Sequence, residues 1–431
     1  MINYFKSPDS LLIDRVLIYK TESNQNFNSK LNIYVSYHSK ILNNLTFEVQ
    51  IKILLKYLFL IFFSFSILSC KTERKTSTVI LQPGDTIPVT HAHGFNIVQF
   101  PGYKLLTVKD PWPNADITYK YLLAEKGSNI PDELEYHHKI TIPVNKIVVT
   151  STTHIPSLEA LGVEHSLTGF PGLDYISSEK TREHIHSGKI TELGKNEAIN
   201  TEVLISLEPS LVVGFAVNGG GKTFSTIEKS GIPVLFNGDW TEESPLGKAE
   251  WIKFFGALYN KSDEAERLFK EVENSYNEAK ELATKATKIP TVLSGSMYKD
   301  QWYVPYGNSW SARFIEDANA EYIYRDSRGS GSMALAFESV LSDAGNADFW
   351  IAPGQFGSFK QLIESSSHYT RFEAVKNKNV FTYSNTKGNT GGVLYYELGP
   401  SRPDLILKDL ISIFHPSLMP GYEPAFFKPL Q

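Results

Sequence analysis

The chain has 431 residues, with 42 Lys and Arg against 47 Asp and Glu and a formal net charge of −5. Its 42% hydrophobic content belongs to a folded protein rather than a disordered one, and the acidic balance gives no basic face for wholesale nucleic-acid binding. A lone Cys excludes an intrachain disulfide framework and any multi-cysteine metal centre.

Residues 57–69, YLFLIFFSFSILS, are uncharged and apolar and follow Lys52 and Lys56. A run of this length falls short of the roughly 30 Å of a bilayer core, and it fits the apolar region of a signal peptide behind a basic flank. It ends in Ile67-Leu68-Ser69-Cys70, which resembles a bacterial lipobox, the signal in which the Cys becomes the lipidated first residue of the mature chain. Lys71, Glu73, Arg74 and Lys75 then read as a solvated tether. Residues 1–50 are Asn-rich and aperiodic, and read as an over-called start or a leader removed with the signal. The expected order is leader and signal at 1–69, then a tether at 70–76, with the mature chain held by its lipid on the periplasmic side of a membrane.

From 77 to 144 the pattern is β-rich, with strands expected at Phe95–Phe100, Tyr103–Val108 and Ile117–Leu123, punctuated by Pro101-Gly102 and Pro111-Trp112-Pro113. From 145 to 244 strands alternate with helices. The strands are expected at Lys146–Thr150, Ser166–Phe170, Leu211–Phe215 and Pro233–Phe236, with helices near Pro156–Leu161, Thr201–Leu207 and Thr223–Ser230. That alternation argues for parallel βαβ units. Residues 245–288 contain no strand pattern. Trp251, Phe254, Phe255 and Leu258 space as one helix face, and Ser262, followed by Asp263 and Glu264, is placed to cap a long helix. A helix of this kind inside an α/β chain reads as a strut between lobes. From 289 to 431 the alternation resumes, with strands at Thr291–Ser294, Tyr322–Tyr324, Asp348–Ala352 and Val380–Tyr383 and helices near Ser309–Ala318, Phe337–Ser342, Phe359–Glu364 and Pro403–Phe414.

The two α/β parts echo one another. Thr201-Glu202-Val203-Leu204 precedes the strand at Leu211, and Phe337-Glu338-Ser339-Val340 precedes the strand at Phe349. Each is a short amphipathic helix with an early Glu, which suits the helix dipole without any further role. Catalytic signatures are weak. The Gly219-Gly220-Gly221-Lys222-Thr223 loop has Ala216 where a phosphate loop needs its first Gly, and Ser294-Gly295-Ser296 lacks the nucleophile-elbow spacing. No enzymatic activity is expected.

From Lys146 onward the chain resembles the substrate-binding proteins of ABC importers for iron–siderophore, haem and cobalamin complexes. The likeness rests on Ile147-Val148-Val149-Thr150 with Leu158-Glu159-Ala160-Leu161-Gly162, on Leu207-Glu208-Pro209-Ser210-Leu211, on Gly231-Ile232-Pro233-Val234, on Pro245–Gly256 and on Leu398–Pro416. The resemblance implies an α/β fold of two Rossmann-like lobes joined by a long rigid helix, here with a small β-rich lead-in. It implies a cargo held between the lobes with little closure, and an ABC permease and its ATPase as partners. Glu202 and Glu338 fall where the family docks onto permease arginines. A monomer is expected, with no group attached except lipid at Cys70.

The implied cargo is an iron chelate, a ferric siderophore first. A cobamide- or haem-binding member, a Zn- or Mn-binding member and a surface lipoprotein accessory to an outer-membrane receptor stay open. In open α/β sheets ligands lie beyond the carboxyl ends of strands. That nominates Ser151, Thr152, His154, Phe170, Phe215 and Trp240 from the first lobe, and Tyr298, Trp302, Tyr303, Tyr306, Asn308 and Gln355 from the second. Arg313, Arg325, Arg328 and Lys299 are suited to an anionic siderophore. His154 also follows the first strand, where related importers place metal ligands. A bare-metal site needs three or four convergent ligands, and His165, His184 and His186 show no matching spacing, so no metal site is expected.

Overall fold

The computed structural model describes residues 84–217 and 221–431. The apolar 57–69 segment, Cys70, the tether and Gly219-Gly220 lie outside the described residues.

The lead-in forms a five-stranded sheet in the order β1-β2-β3-β4-β5, from β1 (Asp85–Ile87), β2 (Phe95–Phe100), β3 (Tyr103–Lys109), β4 (Thr118–Glu125) and β5 (His138–Ile142). Its neighbours are antiparallel except β4 and β5, which run parallel. Alternation turns Ile97, Leu106, Val108, Tyr121, Leu123, Ile140 and Ile142 inward, and these side chains share one core with Ile147 and Val149 of the first lobe. The lead-in therefore packs as part of that lobe.

The first-lobe sheet is parallel, in the order β12-β11-β6-β7-β8. Its strands are β6 (Ile147–Val149), β7 (Leu167–Phe170), β8 (Thr191–Glu192), β11 (Leu211–Gly214) and β12 (Val234–Phe236), with a small hairpin of β9 (Gly194–Lys195) and β10 (Ala198–Ile199) beside it. Strands β6 and β11 are buried throughout, as expected where helices cover both faces.

The second lobe repeats the plan, as β16-β13-β18-β19-β20 with only β20 antiparallel. It is built from β13 (Thr291–Ser294), β16 (Glu321–Tyr322), β18 (Phe349–Ile351), β19 (Val380–Thr382) and β20 (Lys428–Pro429). A three-stranded antiparallel sheet is added by β14 (Ser296–Tyr298), β15 (Gln301–Pro305) and β17 (Ser332–Leu335). The turn from β13 into this sheet needs Gly295. Its φ is +93°, and a Cβ there would stand 2.1 Å from the Tyr303 carbonyl oxygen.

Between the lobes the expected helical stretch is three helices, Pro245–Glu250, Ile252–Leu258 and Ser262–Ala283. Ser262 is the first helical residue rather than the cap; Lys261 holds the capping position without a side-chain bond. At 1.5 Å per residue the last helix, 22 residues long, spans about 33 Å. Ala265 and Phe269 on its first half lie in the first-lobe core, and Tyr276, Ala279 and Ala283 on its second half lie in the second-lobe core.

The strut is fastened to the lead-in by buried carboxylates. Glu250, fully buried, accepts the N–H groups of Thr90, His91 and Ala92 at 2.7–2.9 Å and pairs with buried Lys253 at 2.8 Å. Lys253 also reaches Glu266 of the long helix at 2.6 Å. Glu242 accepts from the backbone of His93 and Gly94 and from the Trp251 indole. Burial pushes the Glu250 carboxyl up, but Lys253 and the three N–H donors more than reverse this, leaving it below its ordinary value. We expect Glu250→Ala to take from buried Lys253 and from the buried Ala92 N–H their carboxylate partner and to cost about 3–5 kcal/mol. A lower denaturant midpoint at unchanged slope is the reading that checks it.

Candidate functional site

The carboxyl ends of both parallel sheets open into cavities. On the second lobe Ser294 at the end of β13 and Gly295 after it, Ile351 at the end of β18 and Ala352 after it, and Tyr383 after β19 floor a cavity of about 480 Å³. Tyr298, Tyr303, Trp310, Phe356, Tyr395 and Tyr396 wall it. On the first lobe Thr150 and Ser151 after β6, Phe170 of β7 and Phe215 after β11 line a cavity of about 460 Å³, with Thr152 and Tyr175 at its sides. Tyr396 belongs to both, so the two cavities adjoin across one phenol.

Large aromatics facing water are unusual unless something covers them. Tyr175 is 71% exposed, Tyr298 65%, Tyr396 48% and Tyr303 41%, and all four lie in this cleft. Behind them Tyr383 stacks on Tyr395 at 4.1 Å between ring centroids, and its hydroxyl lies 3.1 Å from that of Tyr396. Burial drives the phenols of Tyr383 and Tyr395 upward, so both stay protonated hydroxyls.

Tyr396 is held by a segment of the second lobe that crosses to the first. Thr390 donates its hydroxyl to the Asp174 carbonyl at 2.8 Å. Gly392 passes so close that a Cβ would stand 2.4 Å from the Tyr175 carbonyl oxygen. The Glu397 carboxylate, buried, accepts the backbone N–H groups of Ser177 and Ser178. Nearby, Ser178 and Thr181 donate their hydroxyls to Glu159.

Of the residues nominated from sequence, Ser151, Thr152, Phe170 and Phe215 line the first-lobe cavity, and Tyr298, Tyr303 and Gln355 the second. Others go elsewhere. Trp302 alternates with Tyr303 along β15, so one faces the cleft and the other is sealed in the core against Trp350 and Phe372. His154 is buried beside Phe255, at 5.4 Å between centroids, and burial pushes it down to about 4, leaving a neutral ring. It does not reach the cleft lining. Among the described residues no three His, Cys, Asp or Glu side chains form a metal-holding group.

Trp240 stands behind Phe215 at 5.5 Å, and the Tyr306 ring covers Gly329. Asn308, Arg313, Arg325 and Arg328 line a separate cavity of about 520 Å³, where Arg313 pairs with Glu316 and Arg325 with Glu321. Tyr395 and Tyr396 were not nominated. The signal available for them is an aromatic pair between Gly391-Gly392 and Gly399-Pro400, two chain breaks that isolate a short helix.

Glu202 and Glu338 sit exposed in the first turns of helices Thr201–Ser206 and Phe337–Ala344, one on each lobe. Each helix feeds the strand after it and runs back against it, which puts its N-terminal turn at the cleft end of the sheet.

Two parallel α/β lobes, a spanning helix and a cleft at the strand ends define a two-lobed binding protein. The periplasmic binding protein family matches residues 147–386, and the chain belongs to that family. It is 30% identical over 322 residues to an uncharacterized lipoprotein of Methanocaldococcus jannaschii, covering 72% of this chain and 75% of that one. A second uncharacterized lipoprotein of that organism is 24% identical over 386 residues, covering 82% of this chain and 92% of the relative.

Among solved structures, a possible iron-binding periplasmic solute-binding protein of Staphylococcus epidermidis superposes with a TM-score of 0.51 at 20% identity, over 63% of this chain and 99% of the other. A periplasmic heme-binding protein of Pseudomonas aeruginosa gives 0.52 at 15% identity, over 67% and 98%. These two likenesses carry the α/β two-lobed fold.

The crossing segment makes a pH dependence. Burial pushes the Glu397 carboxyl up to about 7, over the downward pull of its two N–H donors, with Glu159 adding to the rise. Its folded value lies above the ordinary carboxylate value, so its contribution to stability is complete below that ordinary value and is lost as pH rises through about 7. Between about pH 5 and pH 7 the wild-type protein should lose stability, with a slope approaching about 1.4 kcal/mol per pH unit from this group near the middle of that window and fading above pH 7. Glu397→Gln should flatten the melting-temperature profile over that range; an unchanged slope would place the titrating group elsewhere.

Proposed function

We propose that this protein captures an iron chelate between its two lobes and delivers it to an ABC permease, with a ferric siderophore as the first cargo class. The observation that carries the reading is the cleft of water-facing tyrosines at the carboxyl ends of two parallel sheets. Phenol rings offer flat apolar area and a hydrogen-bonding edge together, which suits a bulky complex with a polar periphery. Family membership supports a substrate-binding role, and the likeness to a possible iron-binding protein and to a heme-binding protein supports an iron-containing cargo. The lipoprotein relatives support an anchor at Cys70; among the described residues no helix is long and apolar enough to cross a membrane.

In this reading Glu202 and Glu338 dock onto permease arginines. Charge-assisted Arg–carboxylate pairs are directional, and one on each lobe fixes the pose. The double substitution Glu202→Ala with Glu338→Ala is expected to abolish iron-chelate import in cells that depend on this protein, while the purified variant keeps its affinity within about twofold, because both side chains are exposed and neither lines the two cavities. Uptake at the wild-type rate by the double variant would sink the docking assignment.

A further inference from the structure

Resting on the reading that the cleft takes a metal chelate, we propose that its cargo is electroneutral: a coordinatively complete complex with an uncharged, hydrogen-bonding periphery, bound in preference to anionic chelates and to haem. The second-lobe wall is the basis. Among the described residues that line its cavity of about 480 Å³ there is no Asp, Glu, Lys, Arg or His. Its polar groups are neutral: hydroxyls of Tyr298, Tyr303, Tyr396, Ser296 and Ser332, and the amide of Gln355. The first-lobe wall carries one charge of each sign, Lys195 and Glu197, two residues apart.

A multiply charged anion entering this cleft leaves water without meeting a compensating cationic cluster. Desolvating each charge costs several kcal/mol after relaxation, whereas a neutral hydrogen bond returns about 1 kcal/mol. The cations suited to an anion do not line this wall: Lys299 is exposed, with its ammonium 5.4 Å from the Tyr298 ring centroid and exposed Asp300 next in the chain, and the arginines lie elsewhere. Arg313, Arg325 and Arg328 line the separate cavity of about 520 Å³, which also holds Glu243, Glu316 and Asp326. Among the described residues no three His, Cys, Asp or Glu side chains gather into a group that could hold a bare ferric ion. The metal must therefore arrive with its coordination shell filled, and the wall selects on what that shell presents outward.

The test is a calorimetric titration of the full-length protein with three probes at low and at high salt: a neutral ferric trihydroxamate, a trianionic ferric tris-catecholate, and haemin. The neutral complex is expected to bind at least tenfold tighter than either of the others, with an affinity that salt leaves unchanged. Tyr396→Ala should weaken it tenfold or more, and Gln355→Arg should shift the preference toward the tris-catecholate in a salt-sensitive way. Tighter binding of the tris-catecholate or haemin by the wild-type protein overturns the charge assignment and leaves chelate capture standing. Binding of none of the three overturns chelate capture and the charge assignment with it.

Discussion

One buried carboxylate ties together the parts that hold the cleft open. Glu250 takes three backbone N–H groups from the lead-in and the ammonium of Lys253, and Lys253 bridges on to Glu266 of the long helix. Glu250, Lys253 and Ala92 are buried with no water to fall back on, so their pairing is worth more than it would be at the surface, and removing Glu250 leaves the other two short of their partner. The consequence is geometric. The lead-in sheet cannot shift on the first lobe without breaking the contact that orients the start of the strut. The strut cannot rotate without dragging Tyr276, Ala279 and Ala283 through the second-lobe core. A helix buried in one core at one end and in another at the other has no loose residue to act as a flexible hinge, which is why lobe motion here is expected to be small rather than sweeping.

The cleft has a second fastening on its other side. Thr390, Gly392 and Glu397 carry the second lobe onto the Asp174–Ser178 backbone, and Tyr396 projects from that crossing into both cavities. The strut sets the separation of the lobes, and the crossing segment sets what stands between them. Glu397 differs from Glu250 in one respect. Glu250 has a buried cation to offset its desolvation, and Glu397 has only two amides, so its proton affinity rises where that of Glu250 falls.

Much of this was legible in the chain, and the reasons differ from part to part. Strands β6, β7, β11, β12, β13, β18 and β19 announce themselves because parallel strands covered on both faces are short apolar runs between helical patterns. The strands β14, β15 and β17 do not, since a half-exposed sheet mixes Tyr, Ser and Gln with its apolar positions. For the site, the rule that ligands lie beyond strand ends points to Ser151, Thr152, Phe170, Phe215, Tyr298 and Tyr303, and these residues line the two cavities. It placed Trp302 wrongly because a one-residue step along a strand reverses the face, and which face is core depends on Trp350 and Phe372, distant in sequence. His154 failed for a related reason: its turn ends under Phe255, and only the packed helix shows that the ring is covered. Tyr395 and Tyr396 lay beyond local reasoning, since their place in the cleft follows from a crossing fixed by contacts more than two hundred residues apart in sequence.

The distribution of charge joins the two halves of the proposed function. The chain is acidic overall, and Glu202 and Glu338 stand exposed at the cleft end of each lobe. Under the proposed function that field would attract a basic permease face and, by the same sign, would repel an anionic cargo approaching the same opening. A cationic lining would rescue anion capture, but it would set a strong positive charge close to the carboxylates proposed to dock on the permease and would compete for them. A neutral lining avoids the conflict. Capture then runs on aromatic area and hydroxyl hydrogen bonds, which ionic strength hardly touches, while docking runs on exposed charge, which ionic strength tunes. Under this division the two steps respond to different forces, and a change in one leaves the other intact.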